Sequence, residues 1–408
     1  MSRFAVVAAV VAVSTAAGGC ARCGRGVPVP ATGRDARAPL SPLSEPVAIQ
    51  ALSGDLVARL KATPHAYFRF VNRAWVQATC AAFAADVAAL TAVRLHGDAH
   101  VEQYAVTDDA YGLDDFDDSA TGPAIIDVSR FLGSVTLVAY QRGWAGSTVA
   151  AVDAFVEGFR RAVNEPGYAP PVPAVVMRLR GRPARSREEF LAWVESLMAP
   201  LSREEAAQVE ARMKDVVAAT DPGRRHLLHV KKAGSLHMGV GSALARKVLL
   251  RTEGPSAAAD DDLVIEAKEV TALQGGNCLT VPSRGEAYRP VLGSRQVGRL
   301  RHEILGVVPY APGTTPGSKG WWIRSWNASY REVEIDDLRS VRDLIEIAQD
   351  AGAQLGGVSL DTGDVPGHPA RHAYASRMRH LEPRIRQVVA EQSAQVLAAW
   401  RKFRAAQR

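Results

Sequence analysis

The apolar periodicity of this chain changes twice, and those two changes restrict its architecture more than any other feature. From Val47 to the break at Asp221-Pro222-Gly223 the pattern is largely helical, with capping boxes at Ser186/Glu189 and Ser202/Glu205 opening two of the helices. Beyond the break, the spacing predicts strands over Leu227–Lys231, Lys247–Arg251, Leu263–Lys268 and Trp321–Ser325, separated by Gly and Pro turns. From Ile335 the pattern is helical again, and Pro383 is expected to open or kink the last helix. Helices, then strands, then helices predict an α+β fold of two lobes. The expected units are a mostly helical lobe over 47–225, a β-rich segment over 226–333, and helices over 334–408 that pack back on the helical lobe.

The N-terminus reads as a targeting segment. Arg3 is followed by an apolar run from Phe4 to Ala17, too short to span a bilayer, which needs about 20 residues. It ends in Ala-Gly-Gly-Cys20, which looks like a lipobox, with Ala17 where a Leu is usual. Residues 1–20 are therefore expected to be a lipoprotein signal with lipidation at Cys20. That makes the protein a membrane-anchored lipoprotein of a bacterial cell envelope, joined to its folded part by a flexible linker over 21–46. The competing reading is a misassigned start near Val47 and a cytoplasmic protein. Cys20 and Cys23 form a CxxC, but no second ligand pair at zinc spacing accompanies them.

Composition excludes some partners. Of 408 residues, 47% are hydrophobic, enough for substantial cores, and the net charge of +6 is spread along the chain. Nucleic acid is not expected, because no basic stripe interleaved with aromatics is present.

The chemistry concentrates between His96 and Asp127. Asp98, Glu102, Asp108, Asp109, Asp114, Asp115, Asp117, Asp118 and Asp127 alternate there with apolar residues such as Leu113, Phe116 and Ala124-Ile125-Ile126. Buried carboxylates are costly unless paired, and a divalent cation is their usual partner. Oxygen-only ligands point to Mg2+ or Mn2+. The simplest expectation is that Asp98, Asp115 and Asp127 converge on one shared cation facing the lobe that carries Lys268. The competing reading is a solvated acidic loop.

Two resemblances refine this. The run His96-Gly97-Asp98-Ala99-His100, with Gln103 and then Asp114-Asp115-Phe116-Asp117-Asp118, resembles the catalytic segment of kinase-like small-molecule phosphotransferases of the aminoglycoside phosphotransferase and choline kinase type. That resemblance implies Asp98 as the residue orienting or deprotonating an acceptor hydroxyl. It implies Asp115 and Gln103 at the metal, and Asp127 bracing the catalytic loop; Asp117, which stands where that segment has a glycine, is a further metal candidate. A longer stretch resembles the bacterial family called domain of unknown function 2252. It includes Gly97-Asp98-Ala99-His100, Asp114-Asp115-Phe116-Asp117-Asp118, Gly122-Pro123, and Asp127 with Arg130 and Ser134. Further matches are Tyr67-Phe68-Arg69-Phe70 upstream, then Gly239-Val240-Gly241-Ser242, Lys268-Glu269, Arg289 to Arg295 and Trp322-Ile323-Arg324.

In kinases the glycine-rich loop and the phosphate-gripping lysine precede the catalytic loop, whereas here they follow it. The expectation is a circularly permuted protein-kinase-like fold. In it Gly239, Gly241 and Ser242 would cover phosphates, with Lys268 and Arg324 as further contacts. His96 and His100 are either catalytic or hold the loop by hydrogen bonds. Arg130 is expected to form a structural pair with Asp127, and Lys268 has the alternative of a surface pair with Glu266. Gln103 departs from the family Asn. Its extra methylene moves the amide oxygen by roughly 1 to 1.5 Å against a magnesium shell near about 2.1 Å.

The expected function is a Mg2+-dependent phosphotransferase that uses ATP or another nucleotide on a small hydroxylated acceptor. The alternative is a catalytically degenerate kinase-like envelope lipoprotein that binds a ligand or partner.

Overall fold

The computed structural model describes residues 43–237, 245–256, 258–270, 272–273, 278–282, 285–308, 320–358 and 367–406. Cys20, Gly239, Gly241 and Ser242 lie outside them. The fold is mixed α+β with antiparallel sheets. In chain order α1 (Gly54–Ala62), α2 (Pro64–Phe70), α3 (Asn72–Ala82) and α4 (Ala84–Val87) lead into β1 (Ala92–Leu95). A hairpin of β2 (Tyr104–Val106) and β3 (Tyr111–Leu113) follows, then β4 (Ala120–Pro123), α5 (Ile125–Gln141), α6 (Thr148–Asn164), α7 (Ala174–Arg180), α8 (Arg187–Ser196) and α9 (Arg203–Ala219). The β-rich part holds β5 (Val230–Ser235), β6 (Lys247–Thr252), β7 (Leu263–Glu269), α10 (Tyr288–Gln296), β8 (Leu305–Val308) and β9 (Trp321–Ser325). Then come β10 (Arg331–Glu332), α11 (Val341–Val358) and α12 (Gly367–Ala405).

Helix α5 is the axis of the helical lobe. Its residues are apolar on nearly every side, so it is stable only when surrounded, and almost all of it is buried. The main core joins it to α6, α11, α12 and the two small sheets. Helices α6 and α11 touch backbone to backbone: a Cβ on Gly158 would stand 2.0 Å from the Gln349 carbonyl oxygen, and one on Gly352 2.2 Å from that of Phe155. No described helix is long and apolar enough to cross a membrane. The Ala-rich stretch after Trp75 is the buried helix α3 and the short α4.

The five-stranded sheet runs β5-β6-β7-β9-β8, all neighbours antiparallel. Alternation divides it into two unlike faces. Val248, Leu250, Ile265, Ala267 and Ile323 form an apolar face covered by α9 through Met213 and Val216. On the opposite face, α8 packs Phe190, Leu191 and Val194 on Leu249 and Val264, and α10 packs Val291 near Trp322. Lys247, Lys268, Glu266 and Arg324 lie on this second face.

Several expectations shift in detail. The segment predicted as strand Leu227–Lys231 is a 3-10 turn over Pro222–Leu228 followed by β5. Helix α5 begins at Ile125, so Asp127 sits in its first turn. Pro383 neither opens nor ends α12, which runs through it. Cys80 on α3 and Cys278 after β7 form a disulfide that ties the helical lobe to the β-rich part.

Candidate active-site cleft

The site is built from two tight turns. The first, Gly97-Asp98, follows β1. Gly97 adopts φ +87°, and a Cβ there would stand 1.9 Å from the Asp118 carbonyl oxygen, so only glycine fits. Asp127, at the start of α5, accepts the His96 and Gly97 backbone N–H groups at 2.7 and 2.9 Å. Asn72 donates to the Gly97 carbonyl and to Asp118 Oδ2, both at 2.9 Å. The His96 ring donates from Nε2 to the Asp114 carbonyl at 2.8 Å, which makes Nδ1 the acceptor for the Asp98 N–H at 3.3 Å.

Asp98 is 6% exposed and pairs with Arg130, which donates from Nε at 2.9 Å and lies at 2.8 Å through Nη2. Arg130 therefore pairs with Asp98 and not with Asp127 as the sequence suggested, because one further turn of α5 carries it past its neighbour's carboxylate. Burial pushes the Asp98 carboxyl up to about 7 against the opposing pull of Arg130, with nearby Asp118 adding to the rise. A carboxyl near neutrality suits proton transfer from a hydroxyl. His100 Nε2 lies 3.7 Å from Asp98 Oδ2, and neither ring nitrogen has a hydrogen-bond partner. Burial drives its pKa well below the usual histidine value, so it stands neutral beside Asp98.

A supporting network lies behind this turn. His65 contacts Glu102 at 2.9 Å and Ser134 at 2.7 Å, and Ser134 in turn accepts the Val101 N–H at 2.9 Å. Burial alone would raise Glu102, but His65 and Arg69 bring it down to about 2.

The second turn is Asp114 to Asp118, after β3. Asp115 is the one non-glycine among the described residues with positive φ, at 62°, a conformation aspartate tolerates better than most. Its Oδ1 lies 3.5 Å from Lys268 Nζ and makes no hydrogen bond. Lys268 also pairs with Asp117. Burial would raise Asp115, but Lys268, Arg324 and Lys247 hold it well below the ordinary carboxylate range. Burial lowers Lys268, with Asp115 opposing.

Arg324 donates to Glu266 at 3.1 Å and to Asp114 at 3.2 Å. Glu266 thus serves Arg324 and the Trp326 indole, at 3.1 Å, and the expected alternative of a surface Lys268–Glu266 pair is replaced. Arg289 of α10 reaches the same turn, donating to the Ser119 and Asp117 carbonyls at 2.8 and 3.1 Å.

The structure therefore brings together Asp98, His96, His100, Asp127 and Arg130 at one end of the cleft, and Asp115, Asp117, Lys268 and Arg324 at the other. The bond from His96 to Asp114 joins the ends. Gln103 lies between them, its carbonyl accepting the Asp114 N–H at 2.8 Å. The carboxylates at 98, 115 and 127 do not share one cation: Asp98 is held by Arg130 and Asp127 by backbone N–H groups. No group of three His, Cys, Asp and Glu side chains placed to hold a metal occurs among the described residues. Asp115 and Asp117 still suit Mg2+, an ion usually bound by one or two carboxylates with substrate phosphates supplying further oxygens. Asp115 Oδ1, which faces Lys268 without a hydrogen bond, is an oxygen that could turn to such an ion.

Sequence reasoning missed Asn72, Glu266 in its role with Arg324, and Lys247. Asn72 lies on a helix remote in sequence from either turn, and no local signal marks it. Lys247 was visible only as the first residue of a strand.

Comparison with known families gives one match: the model of a family described as an uncharacterized protein conserved in bacteria, DUF2252, fits residues 56–171. That stretch runs from α1 past α6 and holds both turns, but not Lys268. No curated protein and no solved structure matches the chain.

Proposed function

We propose that this protein is a kinase-like phosphotransferase of circularly permuted order, using Mg2+ and ATP or another nucleotide on a small hydroxylated acceptor. The observation that carries the reading is Lys268 meeting Asp115 and Asp117 at a turn joined through the His96–Asp114 bond to the turn that holds Asp98. In protein kinases the phosphate-gripping lysine lies on the third small-lobe strand, before a helix. Lys268 lies on β7, third of the five strands in chain order, and α10 follows. Two differences bear on this likeness. Glu286, two residues before α10, pairs with Arg289, and Lys268 is held by the aspartates.

In this reading Asp98 accepts the acceptor's hydroxyl proton, and Asp127 and His96 fix the turn that aims it. Arg130 holds the Asp98 carboxylate in place, with neutral His100 against it. Lys268 and Arg324 receive phosphate oxygens. Asp115 and Asp117, with Gln103, would hold the metal, which when bound offsets charge on the transferring phosphoryl group.

The second reading, a degenerate envelope lipoprotein that binds a ligand or partner, is favoured by two observations. Gln103 stands at the family Asn, and the Cys80–Cys278 disulfide belongs to oxidising compartments, where ATP is scarce. The same disulfide supports anchoring through Cys20 at the envelope.

Thermal unfolding of the full chain with ATP and Mg2+ separates the readings. Ligand at about 100 times its dissociation constant stabilises by about 2.7 kcal/mol. Asp115→Asn is expected to lose the Mg2+-dependent part of that shift. Absence of any shift in the parent protein ends the phosphotransferase reading.

A further inference from the structure

Strands β6 and β7 set two lysines side by side, and only Lys268 has so far been given a role. Lys247 is the register partner of Lys268. Partners in an antiparallel pair project to the same face with Cβ atoms about 4.5 to 5.5 Å apart. Lys247 and Lys268 are 5% and 3% exposed. Lys247 shares one sheet face with Lys268, Glu266 and Arg324, and through Lys268 that face meets Asp115 and Asp117.

Like charges directly opposite destabilise a sheet, so acidic groups offset them here, Asp115 and Asp117 at Lys268 among them. The next register pair, Val248 and Ala267 on the other face, is apolar as a core requires. Two adjacent lysines on one sheet face suit a ligand that carries several negative charges in a row.

We propose that Lys247 is a second phosphate-binding residue, sharing with Lys268 the polyphosphate chain of a nucleotide laid across β6 and β7. The proposal deepens the nucleotide-dependent reading and rests on it for the identity of the ligand. Asp115 and Asp117 hold Lys268 in place when no ligand is present. A metal drawn to those carboxylates would turn Lys268 toward the phosphates already held by Lys247.

Calorimetric titration of the full chain with inorganic tripolyphosphate, MgATP and adenosine tests this. Lys247→Met is expected to weaken tripolyphosphate and MgATP by about ten- to hundredfold, the scale of one charged hydrogen bond, and to leave adenosine unchanged. Lys247→Arg is expected to keep most of the affinity. In the unaltered protein, tripolyphosphate is expected to protect Lys247 from acetylation, read by mass spectrometry, which needs no variant to fold. Unchanged tripolyphosphate binding in Lys247→Met, equal weakening of all three ligands, or no protection would overturn the proposal. Parent protein that binds tripolyphosphate but neither nucleotide nor nucleoside would support the paired lysines and end the nucleotide reading. Parent protein that binds none of the three ends both.

Discussion

Replacing Asp98 by Asn tests the buried charge on which the cleft's proton chemistry depends, and it needs no known substrate. Asparagine keeps the size of the side chain and mimics the protonated acid. Burial raises the Asp98 carboxyl from an ordinary 3.8 to about 7. A folded-state pKa above the unfolded one gives stability that is fully present below the unfolded value and lost as pH rises through the folded value. From pH 5 to pH 7 the unfolded chain has released this proton and the folded chain is still giving it up. Each full pH unit is worth about 1.4 kcal/mol, and the folded carboxyl is itself half ionised by pH 7, so the wild type should lose about 2 kcal/mol relative to Asp98→Asn across that window. Urea unfolding of both proteins at pH 5, 6, 7 and 8 measures the difference directly. Glu102, whose carboxyl is pulled down to about 2, titrates below this range and is common to both proteins, so it cancels. A difference that stays flat, or a wild type that gains on the variant as pH rises, would refute the reasoning. Either result would mean that Arg130 keeps Asp98 ionised at an ordinary pKa, and that Asp98 is an anchored anion and not a proton acceptor near neutrality.

Two further outcomes follow from the geometry. Gly97→Ala places a methyl against the Asp118 carbonyl at a φ of +87°, so a loss of roughly 3 kcal/mol is expected in thermal unfolding, and an unchanged midpoint would refute the fit of that turn. Reduction of Cys80–Cys278, or Cys80→Ser, opens a link across 198 residues and should lower denaturant stability by about 5 kcal/mol on the chain-entropy account; equal midpoints for oxidised and reduced protein would contradict it.

Much of the frame was legible because it is written locally. The capping boxes at Ser186 and Ser202 form as read, each serine accepting its glutamate's N–H while the glutamate side chain returns to the serine N–H. Strands β6, β7 and β9 fall where apolar runs between turn residues placed them. Errors came where packing overrode propensity. Ile125 and Ile126 are β-branched, yet they open α5 because every side of that helix finds apolar neighbours. The segment Tyr288–Gln296 carries Pro290 and Gly293, poor helix formers in an interior. It is helical as α10 because Val291 and Ala287 pack beside Trp322 while Arg289 is tied to the Asp117–Ser119 turn. Strands β4, β8 and β10 are too short for periodicity to detect.

The sequence by itself determined that acids are dense between Asp98 and Asp127, that Gly97 sits in a turn, and that helices flank a strand-rich middle. Those properties depend on composition and on neighbours a few residues apart. Which acid meets which cation was decided only by tertiary structure. Asp98 and Arg130 are 32 residues apart and Arg324 and Asp114 are 210 apart, so no local pattern encodes either pair. The same holds for Lys247 beside Lys268, and for Cys80 bonded to Cys278. Strand register and helix packing set these distances, and at contact range a few ångströms separate a buried ion pair from two isolated charges that burial would neutralise.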